Sequence, residues 1–288
     1  MEDITRLIIN NNNIEPKLKS KIIECVSLIV SKYRQSYKNL YKNLEYIKIE
    51  YKNEQNKEIL DKIEASSAYI TETNTIILDE RMCDNPRYKN LIIHELLHVA
   101  SYHDGVLGLK NIDSGTSISL NEGLTEYLTR KILNEMSYGI ACYEIDINNV
   151  LAFSLIIDED TLINSYFNGS ILDILECYIN KLGSNNNLKE ILYNMDNEHI
   201  ERVRNFNHNT KFKDEYIKLL VNDISKINVN SNKEIIAIIS FINSFIRGEY
   251  QTITVPTNIK LSIEDSINNI FSKYNFKEGK KLWKIILI

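Results

Sequence analysis

His94-Glu95-Leu96-Leu97-His98 gathers the residues best suited to chemistry, because on an α-helix it turns two imidazoles and one carboxylate toward a single point. At about 100° per residue, positions i, i+1 and i+4 share a narrow sector, so both histidines can reach one metal ion with Glu95 beside it. Neutral imidazole is a good zinc ligand, and zinc with one position open lowers the pKa of its bound water toward about 7. Glu95 is then placed to take that water's proton as general base. The flanking Leu91, Ile92, Ile93, Val99 and Ala100 carry no charge. They predict a buried helix, the dry and rigid support that a metal site needs. The competing reading makes both histidines satisfied core residues.

A second constellation, Asn121-Glu122-Gly123-Leu124-Thr125-Glu126, opens another helical pattern that runs to about Asn134. Glu122 and Glu126 stand one turn apart on one helix face. A hydrolytic zinc site wants three protein ligands plus water, and two histidines with a glutamate are an established set. Glu122 is the expected third ligand of one Zn2+ ion. Glu126 is expected to accept a proton from the non-ligating nitrogen of a bound histidine, which fixes the tautomer and raises ligand basicity.

Between them, HELLH and NEGLTE resemble the signature of the gluzincin metallopeptidases, of which the thermolysin-like enzymes are the best-known members. The resemblance covers about residues 70 to 135. It implies that His94, His98 and Glu122 hold zinc, that Glu95 is the general base and that Glu126 buttresses a histidine where thermolysin-like enzymes have an aspartate. It also implies a peptide or protein substrate. The chain has no aminopeptidase-type Gly-x-Met-Glu-Asn segment, so an endopeptidase is expected. The alternative is a non-catalytic regulatory or binding protein that keeps the fold.

Other residues compete for the third ligand position. Asp104 has the metzincin offset from His94, but serine stands at position 101 where that turn needs glycine. His103 is one residue out of that register. Cys83, upstream, has a spacing compatible with a Cys-His-His site. Glu122 also fits a capping box that starts at Ser119, in which serine and glutamate satisfy each other's backbone partners without any metal.

These side chains need elements to hold them. Tyr46 to Tyr51 alternates as a strand, while Ala68 to Thr71 and Thr75 to Leu78 are β-favouring runs separated by Glu72-Thr73-Asn74, the pattern of a hairpin. Asn85-Pro86 signals the start of the HELLH helix, which should run to about Tyr102. Thr75, Ile76, Ile77 and Leu78 are the expected exposed edge strand, able to hold an extended substrate by main-chain pairing. His103 to Ser117 contains Gly105, Gly108 and Gly115 and reads as a flexible loop. The expected fold class is α+β: a zincin-like lobe at 1–138, with a small mixed sheet and the active-site helix, then a mainly α-helical lobe at 139–288 forming the other wall of a cleft. In that second half Asp158 to Phe167, Lys233 to Ile246 and Ile263 to Tyr274 read as helices, and Glu249 to Pro256 as an extended excursion. An oxyanion-stabilising donor is expected among His199, His208, Tyr166 and Arg204.

The 288 residues carry a net charge of -5, which offers no broad basic footprint and argues against nucleic acid. Lysines gather at Lys32 to Lys52, but tyrosine, asparagine and glutamate interrupt them, as on a solvated helix face. The opening Met1-Glu2-Asp3 lacks the basic and apolar regions of a secretory signal, and no apolar run is long enough for a membrane span. Cys25, Cys83, Cys142 and Cys177 form no CxxC pair, so a cytoplasmic location is expected.

Overall fold

The computed structural model describes residues 1–63, 65–83, 85, 88–111, 117–135, 143–204, 211–224 and 226–227. Three helices precede the first strand: α1 (Glu2–Asn10), α2 (Lys19–Lys32) and α3 (Tyr37–Leu44). Each buries one apolar stripe, Ile4 and Ile8 on α1, Ile22, Cys25, Val26 and Ile29 on α2, Leu40 and Leu44 on α3. That spacing is the amphipathic one. Lys32, Lys38 and Lys42 lie exposed on the opposite faces, as the interrupted lysine run implies.

Strand β1 (Lys48–Tyr51), helix α4 (Lys57–Ile63) and strands β2 (Ser67–Ile70) and β3 (Thr75–Leu78) follow. The strands form one mixed sheet in the order β1-β3-β2, with β1 parallel and β2 antiparallel to β3. The β2–β3 hairpin turns through Asn74, whose φ of 45° is left-handed, a conformation asparagine tolerates better than most residues. Thr75, Ile76, Ile77 and Leu78 are therefore not an edge. They form the central strand, and all four are buried. An unbroken apolar run fits a strand covered on both faces and paired on both sides, and the edge nearest the HELLH helix is β2.

After α5 (Glu80–Cys83) comes α6 (Tyr88–Ser101), the HELLH helix, which packs against α2, α3 and β2. Every residue from Asn90 to Ser101 is buried. A helix buried on all sides belongs inside a fold, and each buried leucine or isoleucine contributes about 1.5–3 kcal/mol. Asn43 closes its C-terminus, its amide donating to the carbonyls of Val99 and Tyr102 at 2.8 Å each. This satisfies acceptors that a helix end otherwise leaves open.

The segment expected to be a flexible loop contains a small antiparallel sheet of β4 (Tyr102–His103), β5 (Val106–Leu107) and β6 (Lys110–Asn111). Gly108, at φ +58°, is required there, since a Cβ would lie 2.1 Å from Asn121 Oδ1 and 2.7 Å from the Tyr166 ring. Asn121 in turn accepts the backbone N–H of Leu109 at 3.1 Å.

Helices α7 (Ile118–Leu133), α8 (Glu144–Ile156), α9 (Glu159–Asn168), α10 (Ile171–Leu182), α11 (Leu188–Arg204) and α12 (Lys211–Ile224) complete the described chain. The described part of the second half is thus helical, as its periodicity implies. The segments expected at Lys233 to Ile246, Glu249 to Pro256 and Ile263 to Tyr274 lie outside the described residues.

Two compact units result. The first comprises Met1–Gly115, Asn121–Tyr143 and Ile163–Ser170, and the second Thr116–Leu120, Glu144–Leu162 and Ile171–Ile288. Helices α7 and α9 each contribute residues to both units. Within the second unit, buried Asp146 accepts from Ser119 Oγ at 2.7 Å and from Arg202 Nη2 at 2.9 Å, with His199 Nδ1 at 3.1 Å. Asp196 accepts the backbone N–H groups of Ser117 and Ser119, capping the first turn of α7 from a distant point in the chain. Among the described residues no helix is long and apolar enough to cross a membrane.

Candidate metal centre

Helix α6 holds His94 and His98 one turn apart, both buried, with ring centroids 5.0 Å apart and planes at 78°. From α7, Glu122 brings Oε2 to 3.4 Å from His94 Nε2 and 3.5 Å from His98 Nε2. The donor atoms of these three residues all lie within 4.8 Å of one another, and among the described residues no other histidine, cysteine, aspartate or glutamate group is so placed.

Two imidazole nitrogens and a carboxylate oxygen converging from a rigid interior match the ligands and number that zinc takes in hydrolytic sites. Electrostatics point the same way. Burial pushes the His94 imidazole down, but Glu122, Glu126 and Glu95 outweigh it and drive it up to about 10. Burial pushes Glu122 up, yet His98 and His94 hold it well below the usual carboxylate range. With Glu126 paired to Arg130, the Glu95 and Glu122 carboxylates still face the two imidazoles, a negative charge that a divalent cation would offset. The residues present therefore fit the ion, and His94, His98 and Glu122 would hold it.

The surrounding side chains fix this arrangement. Glu126 is fully buried, with Oε2 at 3.2 Å from His94 Nδ1, while its Oε1 accepts from Arg130 Nε at 3.0 Å. The structure thus brings Glu126 to the far side of one histidine, where a buttress would act. Glu95 is buried too, and Ser67 Oγ on β2 donates to its Oε1 at 2.6 Å. Tyr143 stacks on the His94 ring at 5.3 Å and 9°. Sequence reasoning passes over Ser67, Tyr143 and Arg130. Arg130 had a signal, since it repeats the four-residue step from Glu122 to Glu126. Ser67 and Tyr143 are joined to the site only by the fold.

The rival ligands stand apart from the centre. Asp104 is exposed in a left-handed turn at φ 47°, 3.8 Å from Lys42 Nζ. His103 Nε2 meets the carbonyl of Asn168. The side chain of Cys83 lies outside the described residues. No capping box forms at Ser119, whose hydroxyl donates to Asp146 while Glu122 faces the two histidines.

Of the expected oxyanion donors, Tyr166 is wholly buried and shares a 2.8 Å hydrogen bond with Thr125 Oγ1, and burial pushes its phenol above the ordinary value. His199 belongs to the second unit and engages Asp146. His208 and the side chain of Arg204 lie outside the described residues. In comparisons with known proteins, no family model, no curated protein and no solved structure matches this chain.

Proposed function

We propose that this protein is a zinc-dependent peptidase of the gluzincin kind, cutting within peptide or protein chains. The observation that carries the reading is the convergence of His94, His98 and Glu122, with the buried Glu95 carboxylate on the turn between the two histidines. A zinc ion held there supplies Lewis acidity, acidifying water and polarising a carbonyl. Glu95 takes a proton from the attacking water as the water's oxygen bonds to the peptide carbon, then delivers that proton to the nitrogen as the C–N bond breaks. Ser67 holds Glu95 in place during both transfers. As the sheet's outer strand beside α6, β2 offers main-chain groups to an extended substrate.

Glu95→Gln tests the reading with a library of internally quenched peptides and zinc analysis on the same samples. Expected is cleavage by the wild type, a loss of about 10²- to 10⁴-fold in the variant, and zinc retained in both. A wild type that binds zinc and cleaves nothing in the library would instead support the non-catalytic alternative.

A further inference from the structure

Glu122, Glu126 and Arg130 follow one another at four-residue intervals along α7, so they line one face of that helix. Glu122 approaches both imidazole Nε2 atoms, Glu126 approaches His94 from behind at Nδ1, and Arg130 Nε donates to the remaining Glu126 oxygen. The side chains of His94 and Arg130 are each 3% exposed and that of Glu126 is 0% exposed, so water cannot substitute readily for any of these contacts.

We propose that Arg130 is a positioning residue for the candidate metal centre: by gripping Glu126 Oε1 it aims Oε2 at His94 Nδ1, which fixes the imidazole plane with Nε2 facing His98 and Glu122. The physical need lies in the glutamate. Its carboxylate turns about three rotatable bonds, and contacts at both oxygens hold its direction more firmly than a contact at one. Guanidinium suits the task because its N–H groups point in fixed directions, whereas an ammonium on a flexible stem acts as a point charge. Groups that orient a metal-binding histidine typically change metal affinity 10- to 100-fold when removed. The inference rests on the reading of the His94, His98 and Glu122 cluster as a metal site.

The test is zinc affinity, measured by competition with a chromophoric chelator, for the wild type, Glu126→Gln, Arg130→Met, Arg130→Lys and the double variant Glu126→Gln/Arg130→Met. Circular dichroism verifies folding, and the absorption spectrum of the cobalt-loaded proteins reports ligand geometry. Arg130→Met should weaken zinc binding by about 10- to 100-fold and alter the cobalt spectrum, with Arg130→Lys recovering only part of the loss. Because Arg130 acts through Glu126, Arg130→Met should add no further loss once Glu126 is glutamine. If Arg130→Met alone does not fold, the double variant compared with Glu126→Gln still decides, since neither member of the pair is then left charged without the other. Wild-type affinity in Arg130→Met, or losses that add independently in the double variant, would overturn the proposal while leaving the metal reading intact. A wild type that does not bind zinc would overturn both.

Discussion

Ser67 Oγ on the outer strand β2 donates to Glu95 Oε1 on helix α6 at 2.6 Å, with both side chains buried. The strand proposed to offer its edge to substrate is thereby tied to the carboxylate proposed to move the proton. Ser67→Ala leaves that carboxylate free to rotate and takes away one of its hydrogen-bond donors. The expected result is a fall in kcat of about 10-fold with KM and zinc content little changed, consistent with about 1.5 kcal/mol for a hydrogen bond to a charged group. Steady-state kinetics on the best library peptide checks this. An unchanged kcat would show that Ser67 merely packs beside Glu95.

Gly108 faces Asn121 and Tyr166 so closely that no side chain fits, and its backbone is left-handed. Gly108→Ala should cost about 2–4 kcal/mol, combining left-handed strain with steric overlap, and should loosen the Leu109 contact to Asn121 beside Glu122. Urea unfolding measures the loss. A variant within about 0.5 kcal/mol of the wild type would contradict the tight approach seen here.

Asp146 should make the second unit acid-sensitive. Burial pushes its carboxyl up, but His199, Arg202 and the Ser119 hydroxyl outweigh burial and hold it below its ordinary value. A carboxyl lowered on folding contributes stability above its unfolded pKa near 4, and that contribution disappears as pH falls through the folded value. Asp146→Asn cannot take up this proton. It should be about 3 kcal/mol less stable than the wild type at neutral pH, and should lose less on going from about pH 5 to about pH 3. Urea titrations of both proteins across that range give the two slopes, and equal slopes would refute the assignment.

The candidate metal cluster could be read from residue types alone because its parts obey helix periodicity. His94 and His98 are four apart on one apolar helix, and Glu122 and Glu126 four apart on another, so each pair's face is fixed before any tertiary contact forms. The strands of the small sheet and the described helices of the second half were legible from their own periodicities. Strand order was not. Thr75 to Leu78 could be recognised as a strand, but nothing within four residues shows whether β1 and β2 flank it on both sides. Ser67 and Tyr143 were hidden because a hydroxyl 28 positions away from Glu95, or a ring stacked on His94, becomes a neighbour only through the fold. The pairing of Asp196 with the first turn of α7 is likewise a long-range contact with no local signature.

The central claim is that one divalent ion sits where His94, His98 and Glu122 converge, and metal content tests it most directly. Purified wild type and Glu122→Gln would be equilibrated with zinc, freed of loose metal by gel filtration and analysed by mass spectrometry for zinc per chain. Three-ligand coordination predicts about one zinc in the wild type and a small fraction of that in a folded Glu122→Gln variant. Equal zinc in the two proteins, or none in either, would contradict it.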